Sequence, residues 1–130
     1  MAYYNKRVVE GEFDEVVSEV TDRLEEEGFG ILSDIDVQEK FKEKLGLNEY
    51  RRYRILGACN PPLAEEGLDA EIDLGVLLPC NVVVYENNDG KVVVSAVDPH
   101  AMLSAVENPA LDKISDDVSE RFDRVLDALV

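Results

Sequence analysis

Two cysteines are the most reactive side chains in the sequence. Cys59 closes a β-prone run and stands directly before Asn60-Pro61, where Asn60 suits a helix N-cap and Pro61 the first helical position. The partial positive charge of a helix N-terminus at that point favours a thiolate. Cys80 follows Pro79 at the entry to another β-prone run, and twenty residues separate the two cysteines. That spacing is neither a C-x-x-C redox motif nor a zinc pair. Two readings stay open: a reactive thiol pair brought together in space, or two small apolar residues buried at strand ends, the commoner use of free cysteine. His100 is the only histidine, in Asp98-Pro99-His100-Ala101-Met102. One histidine cannot assemble a histidine-rich metal site, and the H-x-M spacing separates the pair around a helix, so His100 reads as a surface residue and no metal is expected. Arg51, Arg52 and Arg54 place three of the 13 basic residues within four positions. They suit bidentate capture of a carboxylate or phosphate, or pairing with the acidic stretches Asp14 to Glu27 and Asp116 to Asp127; the abundance of acids favours the structural use. Nucleophile elbow, Walker loop, G-x-G-x-x-G and H-E-x-x-H are all absent.

The elements that position these residues follow from periodicity. Tyr3 to Val9 reads as a short strand. Phe13, Val16, Val17, Val20 and Leu24 form the stripe of an amphipathic helix, stopped by Gly28. Gly30 to Ile35 is a second strand, and Asp36 with Glu39 has capping-box spacing for a helix carrying Val37, Phe41 and Leu45 and ended by Gly46. Arg51 to Cys59 is a third strand, with Arg52 and Arg54 on one face, and a short helix from Pro61 to about Glu66 follows. Gly75 to Pro79 is an irregular approach to a hairpin of Val82 to Tyr85 and Lys91 to Val97. Asp98-Pro99 opens a further helical turn, and Asn108-Pro109 caps a long helix with Leu111, Ile114, Val118, Phe122, Val125, Leu126 and Leu129 on one face. The order β-α-β-α-β-α-β-β-α predicts an α+β two-layer sandwich, a mostly antiparallel sheet with helices packed on one face, and residues 1–130 form a single domain. The other sheet face, or an edge, is expected to be buried in a homodimer, the alternative being a polar solvated face.

The formal net charge is −16, from 29 acidic and 13 basic side chains, with a pI near 4.2. Such a field repels polyanions, so neither nucleic acid nor an anionic membrane is an expected partner. The acids are dispersed along helix faces, and six lysines stand against seven arginines. This is the pattern expected of a protein working in concentrated salt, where screening removes self-repulsion, and predicts the cytoplasm of a halophile, archaeal in type, the alternative being an ordinary acidic protein of a mesophile. No apolar run reaches the roughly 20 residues of a membrane span, and the first residues lack the apolar core of a signal peptide, which again points to the cytoplasm.

Three segments are familiar in combination: Gly28-Phe29-Gly30-Ile31-Leu32-Ser33-Asp34-Ile35-Asp36, Ile55-Leu56-Gly57-Ala58-Cys59-Asn60-Pro61, and Leu77-Leu78-Pro79-Cys80-Asn81-Val82-Val83-Val84-Tyr85-Glu86. Together they resemble the domain-of-unknown-function 302 family, over nearly the whole chain. The resemblance implies a small two-layer α/β fold, often dimeric, without an assigned activity or cofactor. It also implies that Cys59, Asn60, Pro61, Pro79 and Cys80, in the A-C-N-P and L-P-C-N segments, form the candidate site. Beside a purely structural or oligomeric role, in which these residues only build the turns, two functions are carried forward. One is binding of a small ligand, anionic if the helix N-terminus contributes unpaired N–H groups, or of a protein partner at these segments. The other is a thiol-dependent redox enzyme or sensor with Cys59 as the reactive thiol and Cys80 as its resolving partner.

Overall fold

The computed structural model describes residues 2–129. In chain order the elements are β1 (Tyr4–Val9), α1 (Phe13–Glu26), β2 (Gly30–Asp36), α2 (Val37–Leu45), β3 (Tyr53–Cys59), α3 (Pro61–Ala70), a 3-10 segment (Ile72–Leu77), β4 (Cys80–Glu86), β5 (Val92–Val97), α4 (Pro99–Leu103), a 3-10 turn (Pro109–Leu111) and α5 (Asp112–Ala128). The strands form one antiparallel sheet in the order β1-β5-β4-β3-β2, so the architecture is the expected α+β sandwich.

The caps explain where the helices begin. Asp36 Oδ1 accepts from the Glu39 N–H at 3.0 Å, Asn60 Oδ1 from Leu63 at 3.3 Å, and Asp98 Oδ1 from His100 at 2.9 Å. Each satisfies a donor that the first helical turn leaves without a carbonyl. The inward face of the sheet presents Leu56, Ala58, Cys80, Val82, Val84, Val94 and Ala96 to the apolar stripes of α1 and α5, where Phe29 and Phe122 meet at 5.0 Å between ring centroids. A second, smaller cluster of Leu74, Leu103 and Leu111 lies under α3 and α4, with Leu78, Met102 and Ile114 shared between the two. The core is therefore divided, and the dividing line runs past the ends of β3 and β4.

Several elements differ from expectation. α3 continues to Ala70 instead of stopping near Glu66. Gly67 is held inside it by packing, since a Cβ there would come within 2.7 Å of Leu74 Cδ2. The approach expected to be irregular is a 3-10 segment, and the long C-terminal helix starts at Asp112 after a 3-10 turn, not directly at Pro109. Of the α2 stripe, Leu45 is exposed, and Phe41 packs edge-on against Tyr50 at 4.8 Å. The arginines are structural, but not all as expected. Arg52 reaches Asp14 on α1 at 2.6 Å and lies over the Phe13 ring. Arg54 pairs instead with Asp34 on β2, because antiparallel pairing sets Asp34 diagonally beside it on the same face, nearer than any helix acid. Arg51 donates to the Glu86 carbonyl and to Asn88. His100 is exposed, and its Nε2 lies 2.7 Å from Asp116 Oδ1 on α5.

On the outward face, the β1, β5 and β4 positions are Tyr4, Lys6 and Val8; Val93, Ser95 and Val97; and Asn81, Val83 and Tyr85. Tyr85 stacks on Tyr53 of β3 at 5.4 Å. Not one of these positions carries a carboxylate, in a chain with 29 of them.

Candidate functional site

A cavity of about 320 Å³ opens where the core divides. The ends of β3 and β4 form its floor, and α3, the 3-10 segment, α4 and α5 form its walls. Cys59, Asn60, Pro79 and Cys80 all line it; Pro61 does not, being exposed on the first turn of α3. The remaining lining is apolar, chiefly Phe29, Leu63, Leu78, Met102, Ile114 and Val118. Of these walls, Ile114 and Val118 were legible as a helix stripe, whereas Phe29 and Met102 had no periodic signal to mark them. The Leu78–Pro79 peptide is cis. Pro79 itself reaches over β3, so that a Cβ on Gly57 would come within 2.7 Å of its Cγ.

The geometry of the two cysteines follows from strand register. Cys80 pairs with Ala58, and Cys59 is the next residue along, opposite Gly30. Successive side chains on a strand leave from opposite faces, so Cys59 and Cys80 are not a cross-strand pair. Both thiols nonetheless line the same cavity. Burial, aided by the neighbouring Cys59, pushes the Cys80 thiol up to about 11.

The N-terminus of α3 lacks the unpaired donors expected of it. Pro61 and Pro62 have no N–H, the Leu63 N–H is taken by Asn60 Oδ1, and the Ala64 N–H donates to the Asn60 carbonyl at 2.8 Å. The partial charge of a helix end resides on free N–H groups, so this end has little to give either an anion or a thiolate. Among the described residues none of the arginines lines the cavity, and no charged side chain does. Among the described residues no group of three or more His, Cys, Asp or Glu is arranged to hold a metal ion, and no helix is long and apolar enough to cross a membrane.

Comparison with known proteins bears on this arrangement as a whole. The family model of the domain of unknown function DUF302 matches residues 4–129. The chain belongs to the DUF302 family. A crystal structure of an uncharacterized conserved DUF302 protein from Bacillus stearothermophilus is similar over 100% of both chains, with 31% sequence identity and a TM-score of 0.92. A comparison with curated proteins gives no match. The DUF302 match takes in both segments that floor the cavity, A-C-N-P at the end of β3 and L-P-C-N at the start of β4.

Proposed function

We propose that this DUF302 domain is a binding module that takes a small apolar molecule into the cavity between α3 and the ends of β3 and β4. The observation that carries this reading is the lining: no charged side chain contributes to it, although 32% of the chain is charged. Leu63, Leu68, Leu78 and Met102 are only half-buried around it. A ligand that completes their burial gains about 25 cal/mol per Å² of apolar surface withdrawn from water. The volume lies at the small end of the usual range for ligand cavities, about 300–1,000 Å³. The thiol-based redox reading has less support, because the buried Cys80 thiol is held in its protonated form.

Ala64 lines the cavity from α3, and Ala64→Phe fills it. The neutral fluorophore N-phenyl-1-naphthylamine is expected to bind the wild type with a blue-shifted, enhanced emission. The variant should bind it at least about tenfold more weakly, the scale of losing about 1.4 kcal/mol or more of contact, with its melting temperature preserved. Absence of binding by the wild type, or equal binding by a folded Ala64→Phe, removes the reading.

We propose further that two copies associate through the outward sheet face, in the salt-rich cytoplasm of a halophile. The support is electrostatic: between molecules of charge −16, contact costs least where carboxylates are missing, and the β1-β5-β4 face is such a place. The two free cysteines suit a reducing compartment. In molar potassium chloride the protein should sediment as a dimer and Val83→Asp as a monomer, and the wild-type dimer should weaken as salt is withdrawn. A wild type that is monomeric at every salt concentration overturns this.

A further inference from the structure

Across Leu103 from the apolar cavity, a second pocket of about 340 Å³ lies at the start of α5, between α4 and the loop that joins the two helices. One residue of its wall is not explained by the α5 stripe. Ser115 follows Leu111 by four positions and precedes Val118 by three, so helical spacing turns it inward with them, and it is only 4% exposed. A helical hydroxyl commonly bonds back to a carbonyl one turn earlier, as Thr21 does to Val17 at 3.0 Å and Ser104 to Ala101 at 2.8 Å. Among the described residues Ser115 Oγ has no such partner, yet no sealed side-chain oxygen or nitrogen is left without one. The hydroxyl therefore reaches open space, and the space that Ser115 borders is this pocket. A buried polar group without a bond costs free energy that an apolar residue at the same stripe position would avoid.

We infer that this pocket holds a small organic ammonium ion, its charge against Glu107 and Asp112, its carbon skeleton over Leu103, Pro109 and Leu111, and an acceptor oxygen against the Ser115 hydroxyl. The lining sets the sign of the charge. Glu107 and Asp112 belong to it, and among the described residues no lysine or arginine does. Lys113, the nearest cation in sequence, borders a different groove with Glu66 and Asp69. His100 lines the pocket too, and its Nε2 is 2.7 Å from Asp116 Oδ1, which brings a third carboxylate beside it. The loop is held in place: Asn108 accepts from the Ala110 N–H at 3.0 Å and donates to the Ala70 carbonyl at 3.1 Å. The apolar share of the wall sets the rest. A bare metal ion makes no use of two leucines and a proline, and among the described residues no three carboxylate, imidazole or thiol groups are arranged as metal ligands. An organic cation uses both kinds of wall, and an oxygen on it satisfies the hydroxyl that the fold leaves open.

Three molecules of one length test this, at the lowest potassium chloride concentration that keeps the wild type folded: 3-methoxypropylammonium, pentylammonium and the neutral butyl methyl ether. Binding is read from the backbone amide resonances of Glu107 and of residue 115, which separate this pocket from the cavity beside Cys59. The methoxy amine should bind about two- to tenfold tighter than pentylammonium, the net worth of one hydrogen bond, and the ether should bind most weakly. Ser115→Ala keeps the helix, since alanine is the best helix former, and should bring the ratio of the two ammonium ions to about one. Glu107→Gln with Asp112→Asn should weaken both ammonium ions about two- to thirtyfold, the worth of two exposed ion pairs, and added salt should act in the same direction. Resonances that neither ammonium ion moves, or an ether that binds as tightly as they do, overturn the cation site. A ratio that survives Ser115→Ala overturns the role of the hydroxyl. Saturation of both resonances by potassium alone, where sodium has no effect, makes the pocket a metal-ion site and overturns the organic ligand. The apolar cavity is read separately by its fluorophore, so its success or failure is independent of every one of these results.

Discussion

Phe122→Ala is expected to lower the free energy of unfolding by about 3–5 kcal/mol, the range for truncating a buried phenylalanine. Phe122 is 3% exposed at the middle of the α5 stripe, and its ring meets Phe29 directly after the C-terminal end of α1. Both rings belong to the larger core cluster, between α1, α5 and the sheet, so truncation leaves a void that the surrounding backbone closes only in part. The effect should reach the site. Phe29 is a wall of the cavity and Phe122 is not, so a Phe29 ring that tips towards the vacated volume widens the cavity without removing any of its lining. Urea unfolding at fixed salt measures the loss, through a lower midpoint at unchanged m. Asp123→Ala, on the exposed side of the same helix, is the reference and should stay within about 0.5 kcal/mol. A loss below about 1 kcal/mol for Phe122→Ala would mean that α5 is held by something other than its apolar stripe.

The second large effect is a dependence of stability on alkaline pH that is set by Cys80. Its thiol is raised from 9.0 to about 11 in the folded chain by burial. Below pH 9 the thiol is protonated in both states and contributes no slope. Between about 9 and 11 the unfolded chain releases the proton and the folded chain keeps it, so stability falls as pH rises. Two pH units at 1.36 kcal/mol each make this about 3 kcal/mol. Tyr53, whose phenol burial also raises, contributes in an overlapping range, so the decisive quantity is a difference. Wild type and Cys80→Ala should differ by an amount that changes by about 3 kcal/mol across that window, while iodoacetamide labels Cys80 only once the protein is unfolded. Parallel stability profiles, or rapid labelling of Cys80 in the folded protein at neutral pH, would show a thiol that is open to solvent.

Element order was readable because each helix announces itself, by a stripe or by a cap. Phe13 to Leu24 supply one stripe and Ile114 to Leu129 another, while Asp36, Asn60 and Asp98 mark starts that the side-chain hydrogen bonds reproduce. Four of the five candidate site residues do meet around one cavity, because they end one strand and begin its neighbour. Pro61 does not join them: Pro61 and Pro62 are exposed at the start of α3, while Leu63 and Ala64 on the same turn line the cavity. What local pattern could not carry was anything decided by register or by meeting elements. That Cys80 stands opposite Ala58, with Cys59 one residue further along, is a matter of register, and Arg54 finds Asp34 through a diagonal of the sheet. The cavity exists only because Met102 and Leu78 join two clusters incompletely, a property of three-dimensional volume with no periodic trace. The emptiness of the α3 N-terminus as an anion site was written in Pro61-Pro62, two adjacent residues without donors, and was masked by the favourable cap beside them.

The strand order also sets a timetable for folding. β2, β3 and β4 are neighbours in both sequence and space, but the partner of β1 is β5, the last strand in chain order, and Tyr4 must wait for Val97. On a ribosome the first strand therefore emerges long before anything it can pair with, with its backbone donors and acceptors unmatched and Val8 and Val9 exposed. Long-range closure of this kind slows folding and lengthens the life of unpaired edges.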